Sequence, residues 1–179
     1  DYPCSFMFVA SMNPCPCGYY GDPTHRCVCT PGQIQRYMNK ISGPLLDRID
    51  IQCEISPVPF KDISTAAPGE PSAKIRERVI KAREIQAARF QEFKGIHCNA
   101  QMTERMIHQF AEPDEEGINL LRMAIEKLSL SARAYNRILK VARTIADLAG
   151  SEHVEPQHLA EAIGYRTLDR GDWAERGHF

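Results

Sequence analysis

The sequence predicts a short α/β segment followed by a run of α-helices, and three observations carry that reading. Phe6-Met7-Phe8-Val9-Ala10 is a continuous apolar run, the pattern of a strand covered on both faces. Ile49, Ile51, Cys53 and Ile55 alternate with Asp50, Gln52 and Glu54, the period of a half-buried strand. From about residue 72 onward nearly every segment has helical period instead.

The elements follow in order. The first strand ends in Ser11-Met12-Asn13-Pro14 and gives way to a cysteine-rich stretch. Thr30-Pro31-Gly32 leads into a short helix over 33–40; Ser42-Gly43-Pro44 breaks it, and a further turn covers 45–48 before the second strand. Pro57, Pro59, Pro68, Gly69 and Pro71 then punctuate a linker. Helices are expected over 72–94, 103–111, 113–128, 132–149 and 156–165. Ser131 is placed to cap the fourth, Gly150 to stop it, and Pro156 to occupy the first turn of the fifth. The chain thus divides into an α/β segment over 1–59, a Pro-rich linker over 60–73 and a helical domain over 74–179. Two strands do not make a stable parallel sheet, and the chain opens without an initiator Met almost directly into a strand. Both features read as part of a larger protein.

Composition narrows the function classes. Apolar residues make up 43% and charged residues 25%, the balance of a globular domain rather than a disordered chain. The net charge of -1 exerts no global pull on nucleic acid or anionic membrane, so any basic surface is local. No apolar run approaches the roughly 20 residues of a membrane helix, and no signal-peptide pattern stands at the N-terminus. The expected location is the cytoplasm. Of seven cysteines, four crowd into Cys15, Cys17, Cys27 and Cys29, which favours a metal over a disulfide framework.

Each residue that could carry chemistry has a plainer alternative. Asn13 follows the first strand, where polar residues face ligands in open α/β sheets; its amide donates to phosphate or orients water, but Asn-Pro is also a common turn. Cys15-Pro16-Cys17 and Cys27-Val28-Cys29, separated by nine residues, supply four thiolates for tetrahedral zinc, with His25 as a substitute ligand. The pairs are tighter than the usual two to four intervening residues, and reduced loop thiols or redox pairs are the alternatives. Arg48, in Leu45-Leu46-Asp47-Arg48-Ile49-Asp50, either pairs with Asp47 or Asp50 or reaches a neighbouring subunit's nucleotide.

Over 132–149, Tyr135, Ile138, Ala142, Ile145 and Ala149 form an apolar stripe, and Arg133, Arg137, Lys140 and Arg143 a basic one. Only Arg143 has a helical acid partner, Asp147. Arg133 and Arg137 repel at i,i+4 and sit near the helix N-terminus, where the dipole disfavours cations. That arrangement points to an anionic partner or to a solvated basic face. The helix over 72–94 carries seven basic residues against three acidic ones, which fits a nucleic-acid contact or a solvated surface helix.

Three blocks resemble a known family: Val9 through Gly18, Ile41 through Asp50, and Leu130 through Leu148. They are similar to the magnesium-chelatase-like AAA+ proteins, and within these to the competence-related YifB/ComM group. The resemblance implies the C-terminal part of a AAA+ P-loop ATPase core, over 1–59, followed by a helical lid domain. It assigns Asn13 as sensor 1, Arg48 as the arginine finger and Arg133 as the sensor 2 arginine, with Arg137 a weaker second. It also implies ATP and Mg2+ as cofactors, a homo-oligomeric ring and DNA remodelling of a helicase or branch-migration kind. The phosphate-binding Gly-x-x-x-x-Gly-Lys-Ser/Thr loop and the acidic Mg2+ motif do not occur in these 179 residues, so this chain alone is expected not to turn over ATP. Alternatives are a metal-chelatase motor subunit, against which the cysteine-rich insertion speaks, and a zinc-dependent assembly module.

Overall fold

A Thr-Pro pair starts the first helix by local chemistry alone. Thr30 accepts from the Gln33 backbone at 3.3 Å and the Gln33 side chain accepts from the Thr30 backbone at 2.8 Å. This reciprocal cap, with Pro31 in the first turn, opens α1 (Pro31–Met38). In the computed structural model, which describes residues 6–55, 58, 69–128 and 130–166, α2 (Gly43–Leu46) and α3 (Ser72–Phe90) follow. A 3-10 turn (Asn99–Gln101) precedes α4 (Glu104–Phe110), α5 (Glu115–Leu128), α6 (Ala132–Ala149) and α7 (Pro156–Gly164). Most of the expected linker lies outside the described residues.

The α/β part of the expected fold is overturned. Among the described residues there is no strand and so no α/β P-loop core. Phe6, Met7, Phe8 and Val9 carry the expected apolar run, yet they are 62–88% exposed. The alternating segment after Arg48 is inverted as well: Ile51, Cys53 and Ile55 face solvent and Gln52 is the buried residue. Its backbone N–H reaches Tyr165 O at 3.0 Å, one bond rather than a ladder. Periodicity records which face of a strand would be covered; a strand also needs a second chain segment to take its N–H and C=O groups. Neither segment has one among the described residues.

The described residues fall into two units, 6–42 and 43–166. In the first, Cys15, Ile34 and Met38 are buried, with Cys17, Tyr20, Cys27, Cys29 and Tyr37 packed around them. In the second, α6 is the central helix and packs against α3, α4, α7 and the 3-10 turn, while α5 packs on α7. Its N-cap is Ser131, whose side chain accepts from Ala134 N at 3.2 Å, and it stops at Gly150 with φ 71°. The buried face of α6 runs through Ala134, Ile138, Ala142 and Ala146, with Leu139 beside it. This face is rotated from the expected stripe: Tyr135 and Ile145 flank it, and Ala149 is exposed. Alanines carry little hydropathy but admit close helix approach, which is why they hold the centre. Leu121, Leu159, Met106 and Ile107 close over them, each contributing about 1.5–3 kcal/mol through burial. Phe90, Phe93 and Phe110 meet edge to face, with centroids 5.8–6.4 Å apart.

A polar knot lies inside this core. Asp147 accepts from Arg89 at 2.8 Å, from Asn99 at 2.7 Å and from Arg143 at 3.0 Å. Arg143 further donates to the backbone oxygens of Ser151 and Glu152. Burial alone would raise the Asp147 pKa, but Arg89, Asn99 and Arg143 together hold it below the usual carboxylate range. The expected pair of Arg143 with Asp147 is therefore present, but Arg143 is 2% exposed and is no part of a basic surface stripe. No helix among the described residues is long and apolar enough to cross a membrane.

Candidate functional site

Two sets of chemistry-bearing side chains emerge, one in each unit. In residues 6–42 the Cys15-Pro16-Cys17-Gly18 turn closes on itself, with Gly18 N donating to Cys15 O at 3.0 Å. Gly18 has φ 87°, a conformation that L side chains rarely adopt, and this turns the chain back toward the second cysteine pair. Cys15 Sγ lies 3.4 Å from Cys17 Sγ and 3.7 Å from Cys27 Sγ, and Cys17 lies 3.5 Å from Cys27. All four sulfurs, including that of Cys29, fall within 4.8 Å of one another. Zinc–thiolate bonds of about 2.3 Å in a tetrahedron put sulfurs about 3.8 Å apart, so the cluster is placed to hold a metal ion.

The electrostatics agree with that fit. Backbone N–H groups of Tyr19 and Val28 pull the Cys17 thiol down to about 6. Cys27 goes the other way: the Cys29 N–H favours its thiolate, yet burial and the neighbouring thiols push it up to about 12. Four thiolates this close repel unless a cation sits among them, so metal binding would release protons. His25 is not part of the cluster. Its ring stacks on Tyr19 at 4.9 Å and meets the Thr24 hydroxyl at 2.8 Å. Asp22 accepts from both Thr24 and the His25 backbone, and these bonds, the Thr24 hydroxyl first, lower its carboxyl to about 2.

In residues 43–166 a groove of about 490 Å3 opens along α6, lined by Arg133, Asn136, Arg137, Lys140, Asp50 and Tyr165 among others. Arg133 is exposed at its edge and has no hydrogen bond or ion pair with the described residues. Lys140 donates to Ala100 O at 2.9 Å, and partial burial, then the charge of Arg137, pushes its pKa below the usual lysine range. Arg137 donates to Arg48 O at 2.9 Å and also to the Asp50 carboxylate. Arg48 itself is exposed and curls back to Pro44 O at 2.8 Å. Asp50 is held by Arg137 and Asp47 lies 3.9 Å from Arg166, so neither flanking acid pairs with Arg48.

Comparison with known proteins bears on both sets. The model for magnesium chelatase, subunit ChlI, matches residues 1–63, and that for the ChlI C-terminal region matches residues 69–166. The competence protein ComM of Haemophilus influenzae is 43% identical over 171 residues, 95% of this chain. YifB of Escherichia coli is 44% identical over 171 residues, and the Rv2897c protein of Mycobacterium tuberculosis 36% over 165. This chain belongs to the magnesium-chelatase-like AAA+ family, in its ComM/YifB branch. It spans 32% of the length of these ComM and YifB relatives.

Within residues 43–166, the structure brings Arg133, Arg137 and Lys140 into one groove, and Arg137 bonds the main chain of Arg48. Asn13 is exposed in the other unit, its amide 3.8 Å from where a side chain on Gly18 would begin. Sequence reasoning missed Arg166, which is 1% exposed and donates to Ile49 O, and did not foresee Arg137 as the partner of Asp50. It also missed the Arg89–Asn99–Asp147 knot, whose members stand as far as 58 residues apart. Nothing local marks such pairs.

Proposed function

We propose that this chain is the C-terminal part of a ring-forming ATPase that couples ATP hydrolysis to DNA remodelling, helicase or branch migration related to competence, in the cytoplasm. The observation that carries the reading is the groove on α6, which Arg133, Arg137 and Lys140 all line beside the segment that follows Arg48. In this reading residues 74–179 act as the lid of the ATPase. Arg133, exposed at the groove and without a partner among the described residues, is the sensor 2 arginine that meets phosphate. Arg137 is the weaker nucleotide ligand because its guanidinium is already engaged. Arg48, free of its flanking acids, extends toward the neighbouring subunit's nucleotide, and Asn13 is sensor 1. ATP with Mg2+ would bind chiefly to a phosphate loop upstream of these residues, so this chain alone should not turn over ATP.

Zinc is the metal proposed for Cys15, Cys17, Cys27 and Cys29, because four thiolates at tetrahedral spacing suit it and leave no open position for catalysis. DNA as the partner is supported by the first half of α3, where Lys74, Arg76, Arg78, Lys81 and Arg83 are all exposed and Arg78 is paired with Glu70. Two other readings have an observation each. The family description favours a chelatase motor subunit, and the cysteine cluster favours a zinc-dependent assembly module.

The test is ATP hydrolysis by the longer parent chain, with and without forked or four-way-junction DNA. Turnover raised severalfold by branched DNA is the expected result. Turnover indifferent to DNA would move the motor to chelatase-like work, and no turnover at all would leave only the assembly module.

A further inference from the structure

We propose that Arg137 is a positioning residue for Arg48, tying the finger segment to the helix that carries Arg133. The inference rests on the reading of Arg48 as an arginine that acts on a neighbouring subunit. It goes further by naming what sets the position of that arginine.

The geometry is a set of anchors on main-chain atoms. Arg137 donates to the carbonyl of Arg48 itself and to the Asp50 carboxylate two residues on. Arg166 donates to the carbonyl between them, Ile49 O. Gln52 extends the attachment at both ends, its backbone N–H to Tyr165 O at 3.0 Å and its side-chain amide to Leu46 O at 3.2 Å. The backbone from 48 to 52, tied back to Leu46 by the Gln52 side chain, is therefore fastened to α6 and to the residues that end α7. The Arg48 side chain is not: it is exposed, with a single bond to Pro44 O.

Fastening the backbone while leaving the side chain exposed suits a residue that works outside its own subunit. Both anchoring bonds leave one nitrogen, Arg137 Nη1, whose two N–H groups reach the Arg48 carbonyl and the Asp50 carboxylate. Arg137 and Arg133 are four residues apart on α6, one turn of a continuous helix. A shift of α6 produced by phosphate at Arg133 therefore carries the Arg48 backbone with it. One subunit's nucleotide state sets the reach of its arginine into the next subunit's site. The link is short, continuous and made of strong donors.

The test uses mixed rings of the longer parent chain. Arg137→Ala should lower kcat for ATP roughly 10- to 100-fold, because displacement of a reacting group by about 1 Å can cost that much, with KM for ATP changed less than twofold. Arg48→Ala should lower kcat by about 10³-fold or more. Each variant is then mixed with subunits that keep Arg48 and Arg137 but carry a disabled phosphate loop. An Arg137→Ala subunit next to such a partner receives an intact arginine, so turnover should recover, as it should for Arg48→Ala.

Recovery for Arg48→Ala without recovery for Arg137→Ala would overturn the positioning role and place Arg137 on its own subunit's nucleotide. No recovery for either would sink the arginine-finger reading, and the positioning role with it. Asp50→Ala removes the second anchor without touching α6 and guards against a folding defect in Arg137→Ala. It should show a smaller loss of kcat and the same recovery, and the absence of any loss from either variant would overturn the inference.

Discussion

Among the described residues, 6–42 bury only Cys15, Ile34 and Met38 as apolar side chains, whereas 43–166 bury a core cluster of fifteen, five of them on α6. The second unit also sets an aspartate and two arginines inside that core with every acidic oxygen taken. The first has no such interior; at its centre are four sulfurs and a pair of turns. Segments that cannot bury enough apolar surface to offset chain entropy need another source of free energy, and a bound metal is the one this sequence can use. The contrast teaches that the two halves should respond to opposite insults.

The largest effect should come from stripping metal. A structural zinc site contributes about 10–16 kcal/mol of apparent binding energy at neutral pH, so a strong chelator, or Cys15→Ser, should abolish amide-exchange protection at Cys15, Gly18 and α1. Protection in α6 should be unchanged. Elemental analysis should find about one zinc per chain before chelation, four cysteines making a single closed site. Protection of α1 that survives chelation would remove the distinction drawn between the two units.

Next in size is Asp147→Ala. It leaves Arg143 buried and Arg89 half-buried with no carboxylate between them, and breaking such a buried pair costs about 3–5 kcal/mol. The thermal midpoint of the helical unit should fall steeply while metal content stays the same. Acid should act through the same group. The Asp147 pKa is depressed on folding, so its stabilisation is complete above the unfolded value of about 3.9 and is lost as pH falls below that toward the native value. A pH titration of helix content in Asp147→Ala should lack that component.

Gly117→Ala should cost about 1–3 kcal/mol by overpacking, because an added Cβ would stand 2.6 Å from Leu159 Cδ1 and 2.8 Å from Pro113 Cβ. The proline ring cannot swing aside. Urea unfolding monitored in the helical unit would register the change, and a midpoint equal to that of the unsubstituted protein would show that α5 and α7 yield more easily than their packing implies. Smallest is Ser131→Ala, which should destabilise α6 by about 1 kcal/mol through loss of the cap to Ala134 N. Its exchange protection should drop in the first turn and nowhere else.

How much was legible varies by the range of the interaction. The ends of α6 were readable because Ser131 and Gly150 act on their own backbone neighbours. The cysteine cluster was readable because two Cys-x-Cys pairs nine residues apart have few other uses. Arg143 with Asp147 was readable as an i,i+4 pair, but its burial was not, since Arg89 and Asn99 arrive from α3 and the 3-10 turn. The two strands failed for the complementary reason. The residues of 6–10 and 49–55 have strand periodicity, but no described segment pairs with them.

What the sequence by itself determined, then, is everything governed by neighbours within a few residues: helix starts and stops, the spacing of the thiols, and the motif blocks that mark the family. What only the tertiary structure decided is which charged groups meet. Arg137 finds Asp50 across 87 residues, Arg89 finds Asp147 across 58, and Arg48 is left without an acid although two flank it. Local geometry follows from backbone dihedrals and short loops, whereas a partner for a long cationic side chain is chosen by which surfaces the packed core brings within about 3 Å.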